Sequence, residues 1–237
     1  MEVIKKIAAK NADIYNVKPV TIAFLGDSVT QGCFEVFYKL DGNIETIFES
    51  DKAFSVNVKK ILNYLYPSAQ INVINSGISG DNAENGNRRF ERDIAPYLPD
   101  LVVVGFALND CGRGEEGKEI YEKSLRKIFQ KVKNIGAECI CLTPNMMNDR
   151  ISPHIHDNRL QDLAKAFINF PLDDYVAIAK KVAAEQGVIV CDIYDKWKCL
   201  QANGVDITEL LSNKLNHPTR EMNWLTAYLL VETMFEK

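Results

Sequence analysis

The chain has 237 residues, and its 28 basic against 32 acidic side chains leave a formal net charge of −4. That balance gives no electrostatic reason to expect nucleic acid or an anionic membrane surface as partner. No apolar run reaches the roughly 18 residues needed to span a bilayer. The opening MEVIKKIAAKNADIYNV lacks the apolar stretch of a secretory signal, so a cytoplasmic protein is expected. A chain of this size hides roughly 70–75% of its unfolded surface on folding, enough for a core without disulfides or metal. No repeat, low-complexity tract or linker interrupts it, and a single domain over 1–237 is expected.

In chain order, the first apolar run is Val20–Leu25. The stretch Cys33–Lys52 after it has no regular pattern and reads as an irregular rim or lid. Phe54, Val58, Ile61, Leu62 and Leu65 recur at helical spacing, and Ile71–Asn75 is the second strand. Arg88–Asp93 is charge-rich and reads as a solvated helix face. Leu101–Phe106 is the third strand. Ile120, Leu125, Ile128, Phe129 and Val132 mark a helix that Gly136 ends. Cys139–Thr143 follows, then two helices between Asp157 and Gln186, broken near Pro171 and stopped by Gly187. Val188–Cys191 is the last strand, and the closing helix runs from Arg220 to Phe235. Alternation of strand and helix predicts an α/β fold: a parallel sheet covered on both faces. The six cysteines include no CxxC pair, which argues against a structural zinc site and for reduced thiols.

Open parallel sheets bind ligands beyond the carboxyl ends of their strands. Gly26-Asp27-Ser28-Val29-Thr30-Gln31-Gly32 follows the first run. Ser76-Gly77-Ile78-Ser79-Gly80-Asp81-Asn82 follows the second, and Ala107-Leu108-Asn109-Asp110-Cys111 the third. Asn216-His217-Pro218 precedes the last helix. One rim thus gathers a hydroxyl, a glycine-rich turn, a carboxamide and an imidazole. Each part suits acyl transfer. Histidine can take the serine proton near neutrality, and the oxyanion needs fixed N–H donors. Loss of activity is then expected below roughly pH 6 to 7, where imidazole protonates.

GDSVTQG, GISGD, ALND and the late NHP together resemble the four blocks of the SGNH hydrolases, also called GDSL esterases/lipases. The blocks stand in family order across residues 26 to 218. The resemblance implies a flavodoxin-like three-layer α/β/α sandwich with a five-stranded parallel sheet. It implies Ser28 as nucleophile and oxyanion donor, Gly80 and Asn109 as the other donors, and His217 as base. It also implies short-acyl esters as substrates, O-acetylated carbohydrate foremost, with no cofactor and no metal. Lipid esters and thioesters are the family alternatives.

Two positions depart from the family pattern. Ala107 replaces the glycine of Gly-x-Asn-Asp, so a methyl group narrows the pocket floor. Lys214 stands three residues before His217, where the family carries the aspartate that orients the imidazole. Three readings stay open: a Ser–His dyad steadied by a backbone carbonyl, an acid from elsewhere such as Asp192, or an impaired enzyme. Two non-hydrolase readings also stand. One is a flavodoxin-like protein whose phosphate loop is Asp27–Gly32; the other is a catalytically silent carbohydrate-binding relative. Asp27 and Asp110 are assigned structural roles, and Gly77 a turn. His154 and His156 are read as solvated loop residues near the site mouth. Cys33 and Cys111 neighbour the expected pocket, and Cys33–Lys52 with Pro144–Asp162 are expected to shape it.

Overall fold

The computed structural model describes residues Met1 to Glu236. Its elements are α1 (Glu2–Ala12), β1 (Val20–Gly26), α2 (Ser28–Gln31), β2 (Cys33–Tyr38), β3 (Ile44–Phe48), α3 (Phe54–Leu65), β4 (Ile71–Gly77) and α4 (Ala83–Asp93). They continue as β5 (Leu101–Gly105), α5 (Gly114–Asn134), β6 (Glu138–Leu142), α6 (Asn158–Ile168), α7 (Leu172–Gln186), β7 (Ile189–Cys191), α8 (Ile193–Ala202) and α9 (Arg220–Phe235). Five strands form one parallel sheet in the order β4-β1-β5-β6-β7. Helices α3 and α9 pack together on one face, and α4, α5 and α7 on the other. This is the expected α/β/α sandwich.

The three central strands are buried almost throughout, as the double helical cover requires, whereas the edge strand β4 is only partly covered. Gly136 and Gly187 close α5 and α7 with left-handed φ of 74° and 62°, the stops read from sequence. Two expectations change. Cys33–Lys52 is not irregular: it forms an antiparallel hairpin, β2 paired with β3, standing outside the main sheet. Only Cys33 and Phe34 of β2 are fully buried, so the apolar signal that marks a core strand is missing. The Arg88–Asp93 segment is helical, yet Arg89 and Phe90 are buried rather than solvated.

One register feature positions the site. Gly26 of β1 pairs with Gly77 of β4 and Gly105 of β5. Three adjacent strands therefore end at the same level, and their following turns share one rim. Gly77 is no mere turn residue, because a Cβ there would lie 2.2 Å from the Gln31 backbone nitrogen. Its missing side chain lets β4 approach α2 closely.

Candidate active site

Ser28 is the first residue of α2, a single turn whose start is fixed by Asp27. The Asp27 carboxylate accepts the Val29 N–H at 3.0 Å. A carboxyl already occupies this short helix start, which does not fit the phosphate-loop reading. Beneath the turn lies Arg89. Its Nε donates to Asp81 Oδ2 at 2.6 Å, Nη1 to the Ser76 carbonyl at 2.6 Å, and Nη2 to the Gly26 carbonyl at 2.8 Å. This buried guanidinium ties the ends of β1 and β4 to the turn before α4, and its charge is matched by two carboxylates, Asp81 and Asp93. Of these partners the charge cluster in the sequence contains only Asp93, one helical turn on; Asp81 and the two carbonyls lie outside it.

Gly80 lies in that turn with a φ of 77° and open space where a side chain would project. The adjacent turn bonds, Ile78 N–H to the Gly26 carbonyl at 3.2 Å and Ser79 N–H to Gln31 Oε1 at 2.7 Å, dock it against β1 and α2. From the end of β5, Asn109 donates one Nδ2 hydrogen to the Asp81 carbonyl at 2.8 Å. That bond fixes the carboxamide beside the Gly80 turn and leaves its second Nδ2 hydrogen uncommitted. Asp110 accepts the Ala83 N–H at 3.0 Å, a structural role. Burial pushes the carboxyls of Asp110 and Asp27 up to about 7, and for Asp27 the Asp110 charge adds to the effect. Ala107, at the glycine position, is fully buried and holds a φ of 135°. Glycine adopts that backbone freely and alanine does not, so the departure costs backbone strain as well as floor space.

His217 sits in the loop before α9, 189 residues from Ser28 in the chain. Its Nε2 lies 2.9 Å from Ser28 Oγ. On the other side of the ring, Nδ1 lies 3.1 Å from the Phe34 carbonyl oxygen. A carbonyl can only accept, so Nδ1–H donates to Phe34 and Nε2 carries the lone pair that accepts the Ser28 hydroxyl. Cys33 Sγ is 3.4 Å from Nδ1, but burial pushes its thiol up to about 12, leaving it uncharged. Burial also lowers His217 to about 4; the Phe34 carbonyl and the Glu35 charge oppose this more weakly.

The loop is held by groups the sequence reading did not assign. Asn213 Oδ1 accepts the N–H groups of Leu215, Asn216 and His217, each at 3.0 Å. Asn145, from the segment after β6, donates to the Asn216 carbonyl at 2.9 Å. An asparagine opening a tight loop is a readable turn signal; the partner carbonyls are not. Lys214 has a left-handed φ of 58° and its Nζ bonds Glu209, at 2.9 Å to the carboxylate and 3.1 Å to the carbonyl. Asp192 is likewise engaged elsewhere: it caps α8, accepts from Thr143 Oγ1 at 3.0 Å and pairs with Lys180. It does not serve His217, which corrects that reading. Cys111 donates to the Leu108 carbonyl at 3.3 Å.

The carbonyl of Phe34 reaches His217 because the hairpin is clamped to the start of α9. Arg220 donates to both oxygens of Glu35, at 2.7 and 3.1 Å, and also to Glu49 of the segment after β3. Its guanidinium lies 4.3 Å from the centre of the Phe34 ring. His154 and His156 are exposed on the loop after β6. Among the described residues, no group of three or more His, Cys, Asp or Glu side chains is arranged to hold a metal ion. Among the described residues, no helix is long and apolar enough to cross a membrane.

Known proteins share this fold. An acetylxylan esterase of Geobacillus stearothermophilus is 25% identical over 180 residues, covering 72% of this chain and 74% of the relative. The crystal structure of an acetylxylan esterase from that organism superposes with a TM-score of 0.67 at 20% identity, over 92% of this chain and 95% of that one. A two-domain esterase active on acetylated mannans gives a TM-score of 0.70 at 18% identity, over 98% of this chain and 52% of that one. The model of the GDSL-like lipase/acylhydrolase family matches residues 24–225. The chain therefore belongs to the GDSL-like lipase/acylhydrolase family and is a carboxylic ester hydrolase of the serine type.

Proposed function

We propose that the protein removes short acyl groups, acetyl foremost, from esterified carbohydrate through an acyl-serine on Ser28. His217 Nε2 takes the hydroxyl proton as Ser28 Oγ attacks the ester carbon. The carbonyl oxygen becomes an oxyanion facing the backbone N–H groups of Ser28 and Gly80 and the spare Nδ2 hydrogen of Asn109. Collapse breaks the bond to the alcohol, and the imidazolium returns its proton to the departing oxygen. Water then enters, gives a proton to His217 and attacks the acyl carbon; collapse frees the acid and restores the Ser28 hydroxyl. In place of a carboxylate, the Phe34 carbonyl orients the ring and accepts from Nδ1 throughout. A neutral acceptor stabilises the transient imidazolium less than a charged one does.

The observation that carries this reading is the 2.9 Å approach of Ser28 Oγ to His217 Nε2, with Nδ1 anchored on its far side. The relatives named for acetylated xylan and mannan support a carbohydrate ester as substrate. We further infer one domain over the whole chain. We place it in a reducing compartment, the cytoplasm, where six free thiols, five of them buried, persist unpaired. The experiment is hydrolysis of 4-nitrophenyl acetate with mass detection of the acetylated serine. Ser28→Ala and His217→Ala should each lower kcat by about 10⁴-fold or more. Turnover near the unmutated rate in either variant would refute the assignment.

A further inference from the structure

We propose that Cys33 is a positioning residue for His217: its sulfur is a second acceptor of the Nδ1–H, standing with the Phe34 carbonyl where a triad would place a carboxylate. The inference rests on the Ser28–His217 reading and goes beyond it by assigning a side chain to the far side of the imidazole.

The contact is built by the segment that carries the nucleophile. Gly32 ends α2 with a left-handed φ of 94°, and its carbonyl accepts the Glu49 N–H at 2.9 Å. The chain then enters β2, where Cys33 stands opposite Phe48. Cys33 is only 2% exposed, and its Sγ lies 3.4 Å from His217 Nδ1. The carbonyl of the next residue, Phe34, lies 3.1 Å from the same nitrogen. Ser28 Oγ meets the other ring nitrogen at 2.9 Å. One short stretch, Ser28–Phe34, therefore holds the imidazole at both ends.

The placement of hydrogens decides which way the sulfur bond runs. A carbonyl oxygen at 3.1 Å requires hydrogen on Nδ1. A thiol hydrogen aimed at that nitrogen would meet another hydrogen, so the sulfur presents a lone pair and the N–H is shared between two acceptors. Among the described residues, this sulfur hydrogen-bonds to no group but the ring, whereas Cys111 donates to the Leu108 carbonyl. Burial keeps Cys33 the neutral thiol, and the Glu35 and Asp27 charges act in the same sense. Sulfur is a weak acceptor but a polarisable one. The positive charge on Nδ1–H grows as the ring takes the Ser28 proton, so the bond strengthens in the transition state, where it lowers the barrier. Glu35, the charged group that also acts on the ring, is paired with Arg220.

The test is turnover of 4-nitrophenyl acetate by variants of Cys33. Cys33→Ala and Cys33→Val both remove the acceptor, the second while keeping the space filled. Each should lower kcat by about three- to tenfold, the span one neutral hydrogen bond typically supplies, with KM little changed. Cys33→Ser, whose oxygen can accept from Nδ1, should recover most of that loss. A packing role predicts the opposite order, with Cys33→Val nearest the unmutated protein and Cys33→Ser beside Cys33→Ala. Nuclear magnetic resonance of the His217 ring, after a fluorophosphonate has capped Ser28, reads the imidazolium itself. That cation should give up its proton at lower pH in Cys33→Ala than in the unmutated adduct. An unmutated rate in Cys33→Val, the packing order among the variants, or identical ring titrations in the two adducts would overturn the proposal. Turnover that survives Ser28→Ala, measured alongside, would instead defeat the serine reading and this inference with it.

Discussion

Ser28 and His217 meet in one hydrogen bond but are supported in opposite ways. The serine side is built from strand ends that the sheet register already aligns, and Arg89 ties two of those ends to the Asp81 turn through charge-assisted bonds. The histidine side is a loop and a detached hairpin, joined by an Arg220 clamp and by single backbone groups. The first half would keep its shape with its partner removed. The second keeps the imidazole aimed only while several independent segments agree. Rate should therefore be more sensitive to changes around His217 than stability is, and the reverse should hold around Ser28.

Breaking the clamp is the strongest challenge to that contrast short of removing Ser28 or His217. Arg220→Ala should lower kcat by roughly 10- to 100-fold with KM little changed, since misplacement by about 1 Å can cost about 100-fold. Arg220→Lys should recover only part, because lysine cannot bridge Glu35 and Glu49 with a planar fork. Unchanged turnover in Arg220→Ala would mean that the hairpin holds the Phe34 carbonyl unaided.

The pH profile comes next. The sequence alone suggested an acid limb near pH 6 to 7, but burial lowers His217 to about 4. Only the neutral ring accepts the serine proton, so kcat/KM should stay flat from pH 7 to pH 5. It should fall by about tenfold per unit only below about pH 4. The sign for stability follows. Between about 6.5 and about 4 the unfolded chain protonates this histidine while the folded one does not, so acidification through that window costs stability. An acid limb in kcat/KM centred at pH 6.5 would show that the ring is more hydrated than its surroundings imply.

A smaller effect tests the family departure on the serine side. Ala107→Gly should stabilise the fold by about 1 kcal/mol by relieving the positive φ, read as a melting-temperature rise of about 2–4 °C. Destabilisation would mean that the methyl group's packing outweighs the strain. The smallest change is expected at Lys214. Lys214→Asp should not raise kcat, because the side chain at this position faces Glu209 rather than the imidazole. It should cost about 1 kcal/mol or less by placing two carboxylates together. A large gain in rate would mean that the loop can rearrange to present an acid to Nδ1.

The same contrast explains how much was legible in the sequence. Buried strands announce themselves as apolar runs, and the glycine stops at Gly136 and Gly187 fall where the helices end. The blocks around Ser28, Gly80 and Asn109 sit at strand ends because that is where such sheets present them. The hairpin gave no such signal, since most of its side chains are half or fully exposed. Arg89 read as one more surface charge, because neither its burial nor its carbonyl partners are encoded nearby. The anchor of His217 was harder still: a main-chain oxygen at Phe34 has no residue-specific signature, so with the aspartate missing a backbone carbonyl, an acid such as Asp192 and an impaired enzyme stood open side by side. Backbone groups act in sites without leaving a trace in residue identity.

The detached hairpin carries one more implication. Because β2 and β3 share no ladder with the five-stranded sheet, they can open in a local fluctuation that leaves the main core whole. Such an excursion would free the imidazole to rotate while the helices and sheet stay folded. Mild denaturant should then silence the enzyme before its circular dichroism changes, with activity returning on dilution as fast as two short strands can zip together.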